Sequence, residues 1–126
     1  MSKDYVSKEL ARKLQEKGYP LKKVYRQDGA PFFYDLPQDH PDWSQCDAWY
    51  LPSIWEVLKW LREEKKMHIE IFLYNGSYSY FIKSITQICK DDLFHKCLNE
   101  DTVDEEYATY EQAVLAGIEY VIDNLI

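Results

Sequence analysis

Apolar positions along this chain recur at two spacings, and the switches between them outline its elements. Over residues 4–17, Tyr5, Val6, Leu10, Ala11 and Leu14 recur at three and four while Lys and Glu fill the other face. That spacing predicts an amphipathic helix, ended by Gly18 and kept from continuing by Pro20. Two short aromatic and β-branched runs then flank Asp28-Gly29, a dipeptide suited to a tight turn. They predict a first hairpin, residues 23–27 and 31–35, with Pro31 confining the second strand to an edge or a late start. Residues 36–52 carry three more prolines with Trp43, Trp49 and Tyr50, and read as a long aromatic loop.

Ser53-Ile54-Trp55-Glu56 has the form of a capping box. Behind it Ile54, Val57, Leu58 and Leu61 make one apolar stripe flanked by Trp55 and Trp60, which predicts a second helix. Strict alternation follows from Met67 to Lys83 on both sides of Asn75-Gly76. A two-residue turn there pairs Tyr74 with Ser77, Leu73 with Tyr78, Ile71 with Tyr80 and Ile69 with Ile82. Met67, Ile69, Ile71, Leu73, Tyr78, Tyr80 and Ile82 then share one face, and His68, Glu70, Phe72, Ser79, Phe81 and Lys83 the other. Residues 87–108 leave helix, strand and loop all open. Thr109 to Gln112 forms another capping box, opening a last helix whose stripe runs through Tyr110, Ala113, Val114, Gly117, Ile118, Val121 and Leu125. A glycine inside that stripe costs about 1 kcal/mol against alanine, so it implies close approach of the helix backbone to the sheet.

Helices interleaved with hairpins predict an α+β, two-layer fold. Its antiparallel sheet is made of two hairpins (about four strands) covered by about three helices, in a single domain, 1–126. The length fits one domain: 126 residues bury roughly two-thirds of their unfolded surface without help from metal or disulfide. No cofactor is implied. No apolar run approaches the ~20 residues of a membrane span, and the polar N-terminus has no signal-peptide core, so the expected location is cytoplasmic. Cys46, Cys89 and Cys97 agree, being odd in number and lacking a C-x-x-C pair.

The net charge is −7, with acid gathered in Asp91-Asp92 and in Glu100, Asp101, Asp104, Glu105 and Glu106. Such a field repels phosphate backbones and argues against nucleic acid as a partner, while permitting a basic protein. Phosphate-cradling, nucleophile-elbow and zinc-protease motifs are absent from the sequence.

Three stretches resemble a known group: YVSKELARKLQEKGYP, YLPSIWEVLKWLREEKKMHIEI and TYEQAVLAGIEYVIDNLI. They are similar to short proteins of bacterial genomes and their prophages, which share a WLREEK-type helix before a strand and a closing TYEEA-type helix. The likeness covers roughly half the chain. It implies a phage-related or mobile-element accessory protein, and it carries over no catalytic or binding residue because the group has no assigned activity.

Candidate chemistry is thin. Asp39, His40, Asp42, Cys46 and Asp47 gather donors without the spacing of any standard metal module, and read as solvated loop residues. Cys89, His95 and Cys97 lack a visible fourth ligand and read as ordinary thiols beside a surface histidine. His68, Glu70 and Lys83 form a polar group on one sheet face, better explained as cross-strand pairing than as acid–base chemistry. The aromatics are different. Eleven Tyr, five Phe and four Trp exceed what one small core absorbs, and Trp43, Trp49, Tyr50, Phe72 and Phe81 are the candidate binding residues. The expected function is a non-enzymatic interaction or accessory module that binds a protein partner or itself. The alternatives are an acidic inhibitor that mimics nucleic acid toward a host protein, and a small enzyme of unfamiliar type.

Overall fold

The computed structural model describes residues 4–23, 31–34, 48–85 and 97–126. Its elements are α1 (Lys8–Glu16), β1 (Phe32–Tyr34), β2 (Ala48–Tyr50), α2 (Ile54–Glu64), β3 (Met67–Tyr74), β4 (Ser77–Ser84) and α3 (Tyr110–Tyr120). A π-helical turn, Val121–Leu125, follows α3 directly. The fold is α+β, with three α-helices and two antiparallel two-stranded sheets among the described residues. The chain divides into two compact units, Met1–Ser53 and Ile54–Ile126.

In the first unit, α1 starts later than its hydrophobic spacing suggests. The Ser7 hydroxyl accepts from the Leu10 N–H at 3.1 Å and caps the helix, and Tyr5 instead bridges to Ser53. At the other end, Gly18 N–H donates to Gln15 C=O and Tyr19 N–H to Leu14 C=O, the paired bonds of a Schellman stop. Leu10, Ala11 and Leu14 form the buried stripe.

The strand expected at 31–35 exists as β1, whereas the strand expected at 23–27 lies, but for Lys23, outside the described residues. β1 pairs with β2, Phe33 opposite Trp49, so a stretch read as loop is a strand. Lys23 bridges to Trp49 and Tyr50 N–H donates to Lys22 C=O, which places β2 between the two. Ala48-Trp49-Tyr50 is short and hemmed in by prolines, and its β character comes from satisfied backbone bonds on both sides rather than from any long alternation. Residues 24–30, with the expected turn, lie outside the described residues.

The second unit is built on the hairpin β3–β4, whose register is the expected one throughout: Ile69 opposite Ile82, Ile71 opposite Tyr80, Leu73 opposite Tyr78. Asn75 (φ 51°) and Gly76 (φ 80°) make the two-residue turn, both in the left-handed region that a type I′ turn requires. α3 packs on both strands and α2 on β3. Between them and the hairpin lies the core of Ile54, Val57, Leu61, Ile69, Tyr80, Ile82, Ala113, Val114 and Ile118, all buried. Thr109 and Gln112 close the capping box of α3 as expected.

Gly117 lies where α3 meets the sheet, as its place in the apolar stripe implies. A β-carbon there would fall 2.8 Å from Ile69 Cγ2 and 3.4 Å from the Tyr80 ring. Those distances set how closely helix and sheet approach.

The stretch left open by the sequence, from Cys97 onward, closes the free edge of β4. Leu98 N–H donates to Ile82 C=O, and Tyr78 and Tyr107 exchange both backbone bonds. Between those two points a single side chain stands in for a strand. Asn99, wholly buried, accepts from Ile82 N–H at 2.8 Å and donates to Tyr80 C=O at 3.0 Å. The carboxamide offers one acceptor and one donor at the spacing that a peptide group would.

Two substitutions test this packing. Gly117→Ala gains about 1 kcal/mol of helix propensity, but overpacking against a stiff β-branched methyl costs about 1–3 kcal/mol. The expected result in urea unfolding is a net loss of stability. Asn99→Ala strands a buried N–H and a buried C=O, and the same measurement is expected to show a loss of about 2–4 kcal/mol.

Candidate functional site

Three exposed large apolar side chains of the second unit gather at the turn end of the hairpin, while a fourth, Ile85, follows β4 at its other end. Leu73 is 69% exposed, Trp55 48% and Tyr110 38%. Trp55 stacks on Tyr110 with ring centroids 6.0 Å apart, and Tyr78 meets Tyr110 edge-on, also at 6.0 Å. Tyr78 in turn stands directly across the ladder from Leu73. The four make a continuous row, Trp55–Tyr110–Tyr78–Leu73.

Element length explains why this row is bare. α2 and β3 are joined by a tight reversal at Lys66 (φ 57°), so they start flush at that end. Eleven helical residues reach roughly 16 Å at 1.5 Å per residue, whereas eight strand residues reach roughly 26 Å at 3.3 Å per residue. The ladder outruns α2, and at its far end Leu73 is left exposed. Leu73, expected on the covered face, is on that face but beyond the cover. Trp55 and Tyr110 occupy the first turns of α2 and α3, where Glu56 and Glu111 add acid beside the apolar row. A comparison of strand and helix lengths is the sequence signal that finds these residues. Alternation alone does not.

The residues expected to bind are placed differently from one another. Trp43 lies outside the described residues. Trp49 and Tyr50 are half-buried in β2, with Lys23 Nζ 5.6 Å from the centroid of the Trp49 ring. The Trp49 indole N–H is buried and has no acceptor among the described residues. Phe72 and Phe81 are half-buried on the face of the hairpin opposite Leu73, and Lys83 Nζ sits 5.7 Å from the Phe81 centroid. They do not join the exposed row.

The polar group on that face is an ordinary solvated cluster. Glu70 lies 3.1 Å from Lys83 Nζ and 3.9 Å from His68 Nε2, with His68 and Glu70 side chains 37% and 49% exposed. Pairs this open contribute little. Asp39, His40, Asp42, Cys46, Asp47, Cys89 and His95 lie outside the described residues. Cys97 donates its thiol hydrogen to Asn99 Oδ1 at 3.3 Å. No group of three or more metal-ligating side chains occurs among the described residues.

A second cluster, of tyrosines and acids, pins the turn at 98–104. Tyr120 donates to Asp101 at 2.6 Å, Tyr107 donates to Glu105 at 2.8 Å, and the Tyr80 and Thr102 hydroxyls lie 2.8 Å apart. Ser79, buried, donates to Val103 C=O at 2.7 Å. The hydrogen bond to Asp101, then burial, pushes the Tyr120 phenol up to about 12. Burial first, then the bond to Glu105, raises Tyr107, and burial raises Tyr80 against a smaller lowering by Thr102. These groups hold protons tightly and anchor acid, which is a structural use of tyrosine rather than a reactive one.

No helix among the described residues is long and apolar enough to cross a membrane. Compared with protein-family models, curated proteins and solved structures, the chain matches none of them.

The tyrosine cluster fixes the sign of an alkaline effect. Each folded phenol is raised above its ordinary value of about 10, so the folded state keeps protons that the unfolded chain releases. Stability from this cluster is intact below about pH 10 and is lost as pH rises toward 12 and beyond. Urea midpoints measured from pH 9 upward are expected to fall for the wild type and to fall less steeply for Tyr107→Phe combined with Tyr120→Phe.

Proposed function

We propose that this chain is a non-enzymatic protein-interaction module, an accessory protein of the mobile-element type that its helix patterns resemble. The observation that carries the reading is the row Trp55–Tyr110–Tyr78–Leu73, where the exposed Trp55, Tyr110 and Leu73 adjoin the half-buried ring of Tyr78. Large rings bury much area for little lost rotamer freedom, which is why Trp and Tyr dominate binding hot spots. With Glu56 and Glu111 beside it and −7 overall, the surface suits a partner with an apolar centre and basic rim. The same charge stands against nucleic acid. A cytoplasmic setting agrees with the free thiol of Cys97.

A second reading, the acidic inhibitor, draws support from the turn at 98–104. Asp101 and Glu105 are held in place by tyrosine hydroxyls, so these carboxylates form a fixed array rather than a loose tail. Binding that weakens steeply with salt selects this reading over the first.

The test of the leading reading is comparative capture. Immobilised wild type and the variants Trp55→Ala and Tyr110→Ala are exposed to bacterial lysate, with thermal melts run beside them. A partner retained by the wild type should bind the variants at least about tenfold more weakly at unchanged melting temperature, the usual loss at a hot spot. Equal retention by all three, or a wild type that captures nothing and stays monomeric, rejects it.

A further inference from the structure

The dipeptide that sets the register of the β3–β4 hairpin is also a chemically reactive one. An asparagine amide is open to attack by the next backbone nitrogen, most of all when glycine follows and no β-carbon shields that nitrogen. Among the asparagines of this chain, Asn75 alone precedes glycine. Asn99 precedes glutamate and is wholly buried, its amide engaged by Ile82 N–H and Tyr80 C=O. Asn124 precedes leucine and donates to Tyr120 C=O. Asn75 and Gly76, by contrast, are both exposed at the tip of the turn.

We propose that Asn75 is a spontaneous modification site, where a flip of the Asn75–Gly76 peptide lets the chain convert this asparagine to isoaspartate and so loosen its own turn.

The chemistry needs only water. The Gly76 nitrogen loses its proton and bonds to Asn75 Cγ, the Cγ–Nδ2 bond breaks, and ammonia leaves, which gives a five-membered succinimide. Water then opens the ring. Cleavage between the nitrogen and the original backbone carbonyl leaves isoaspartate, with the main chain rerouted through Cβ and Cγ. Cleavage between the nitrogen and Cγ leaves ordinary aspartate. Nothing is oxidised or reduced, and either product adds a negative charge.

Turn geometry decides when the ring can close. Closure requires Cβ of Asn75 and the Gly76 nitrogen to eclipse one another across the Cα–C bond, which places ψ near about −120°, the value at the first central residue of a type II′ turn. Asn75 (φ 51°) and Gly76 (φ 80°) instead form the type I′ turn, whose ψ at that position is about +30°. The two turns share a positive φ at the first residue and differ in the sign of φ at the second, so rotating the peptide between them interconverts the pair. Both serve two-residue hairpins, and the strands need not move. Gly76 absorbs the change of sign, since glycine occupies either sign of φ about equally. Asn75 resists, because its flipped conformation borders a region that suits glycine alone. The reactive turn is therefore a minor state of the folded chain. Once isoaspartate forms, the extra main-chain atom lengthens a connection that had to be two residues, next to the pair Tyr74–Ser77.

Peptide mapping by mass spectrometry of the full chain, incubated for weeks in mildly alkaline buffer with and without urea, tests this. Isoaspartate is expected at residue 75 in the folded chain, forming more slowly than in urea by about tenfold or more. Amide exchange of the aged, separated isoaspartyl form should show lost protection at Tyr74, Ser77, Phe72 and Ser79. Asn75→Asp carries the charge without the extra atom and should keep that protection. Asn75→Gly retains a turn-forming dipeptide without the reactive amide, and should exchange alike before and after incubation. A folded chain that forms no isoaspartate at residue 75 overturns the proposal, as does one that reacts as fast as in urea. Modification at Asn99 or Asn124 in place of Asn75 also overturns it. So does an isoaspartyl form with protection intact, or an equal loss in Asn75→Asp or in aged Asn75→Gly.

Discussion

The register of one hairpin governs the second unit of this protein. Side chains alternate with period two, so a slip of one residue between β3 and β4 would turn Ile69, Tyr80 and Ile82 to solvent and bring Glu70 and Lys83 inward. The left-handed pair Asn75-Gly76 forbids the slip by admitting only a two-residue connection. Everything above the sheet inherits that choice. Gly117 of α3 faces Ile69 and Tyr80 because those residues point its way, and Asn99 finds Ile82 N–H and Tyr80 C=O because those groups point outward. Turn chemistry, alternation and helix approach are separate physical effects, and they agree.

That agreement is why this half was readable from sequence. Local signals of three kinds converged on residues 67–83, and the capping box at Thr109 and the glycine in the last apolar stripe each had one mechanism behind them. The stretch from Cys97 to Tyr107 was not readable. Its order comes from long-range bonds, an asparagine amide to the edge of β4 and tyrosine hydroxyls to Asp101 and Glu105, and such bonds leave no periodic trace. β2 was missed for the same reason. Three residues cannot display a period, and Ala48–Tyr50 is a strand because β1 and the Lys22–Lys23 segment satisfy it from either side.

The candidate surface was half legible. An excess of aromatic residues pointed to an interface, but the count did not say which rings were spare. Phe72 and Phe81 are half-buried, with Lys83 above Phe81, while Trp55, which flanks one helix stripe, and Tyr110, which opens another, are exposed. The deciding quantity was geometric. A helix climbs less than half as far per residue as a strand, and a short helix laid on a long strand leaves the strand's end uncovered.

A projecting ladder of this kind has an evolutionary consequence. Antiparallel strands lengthen or shorten by opposed pairs, and pairs added beyond the last helical turn disturb no interior neighbour. Selection can therefore rewrite the apolar tip of the hairpin and change its reach. The ground beneath Gly117 cannot be rewritten in the same way, because there a single methyl group already fills the gap.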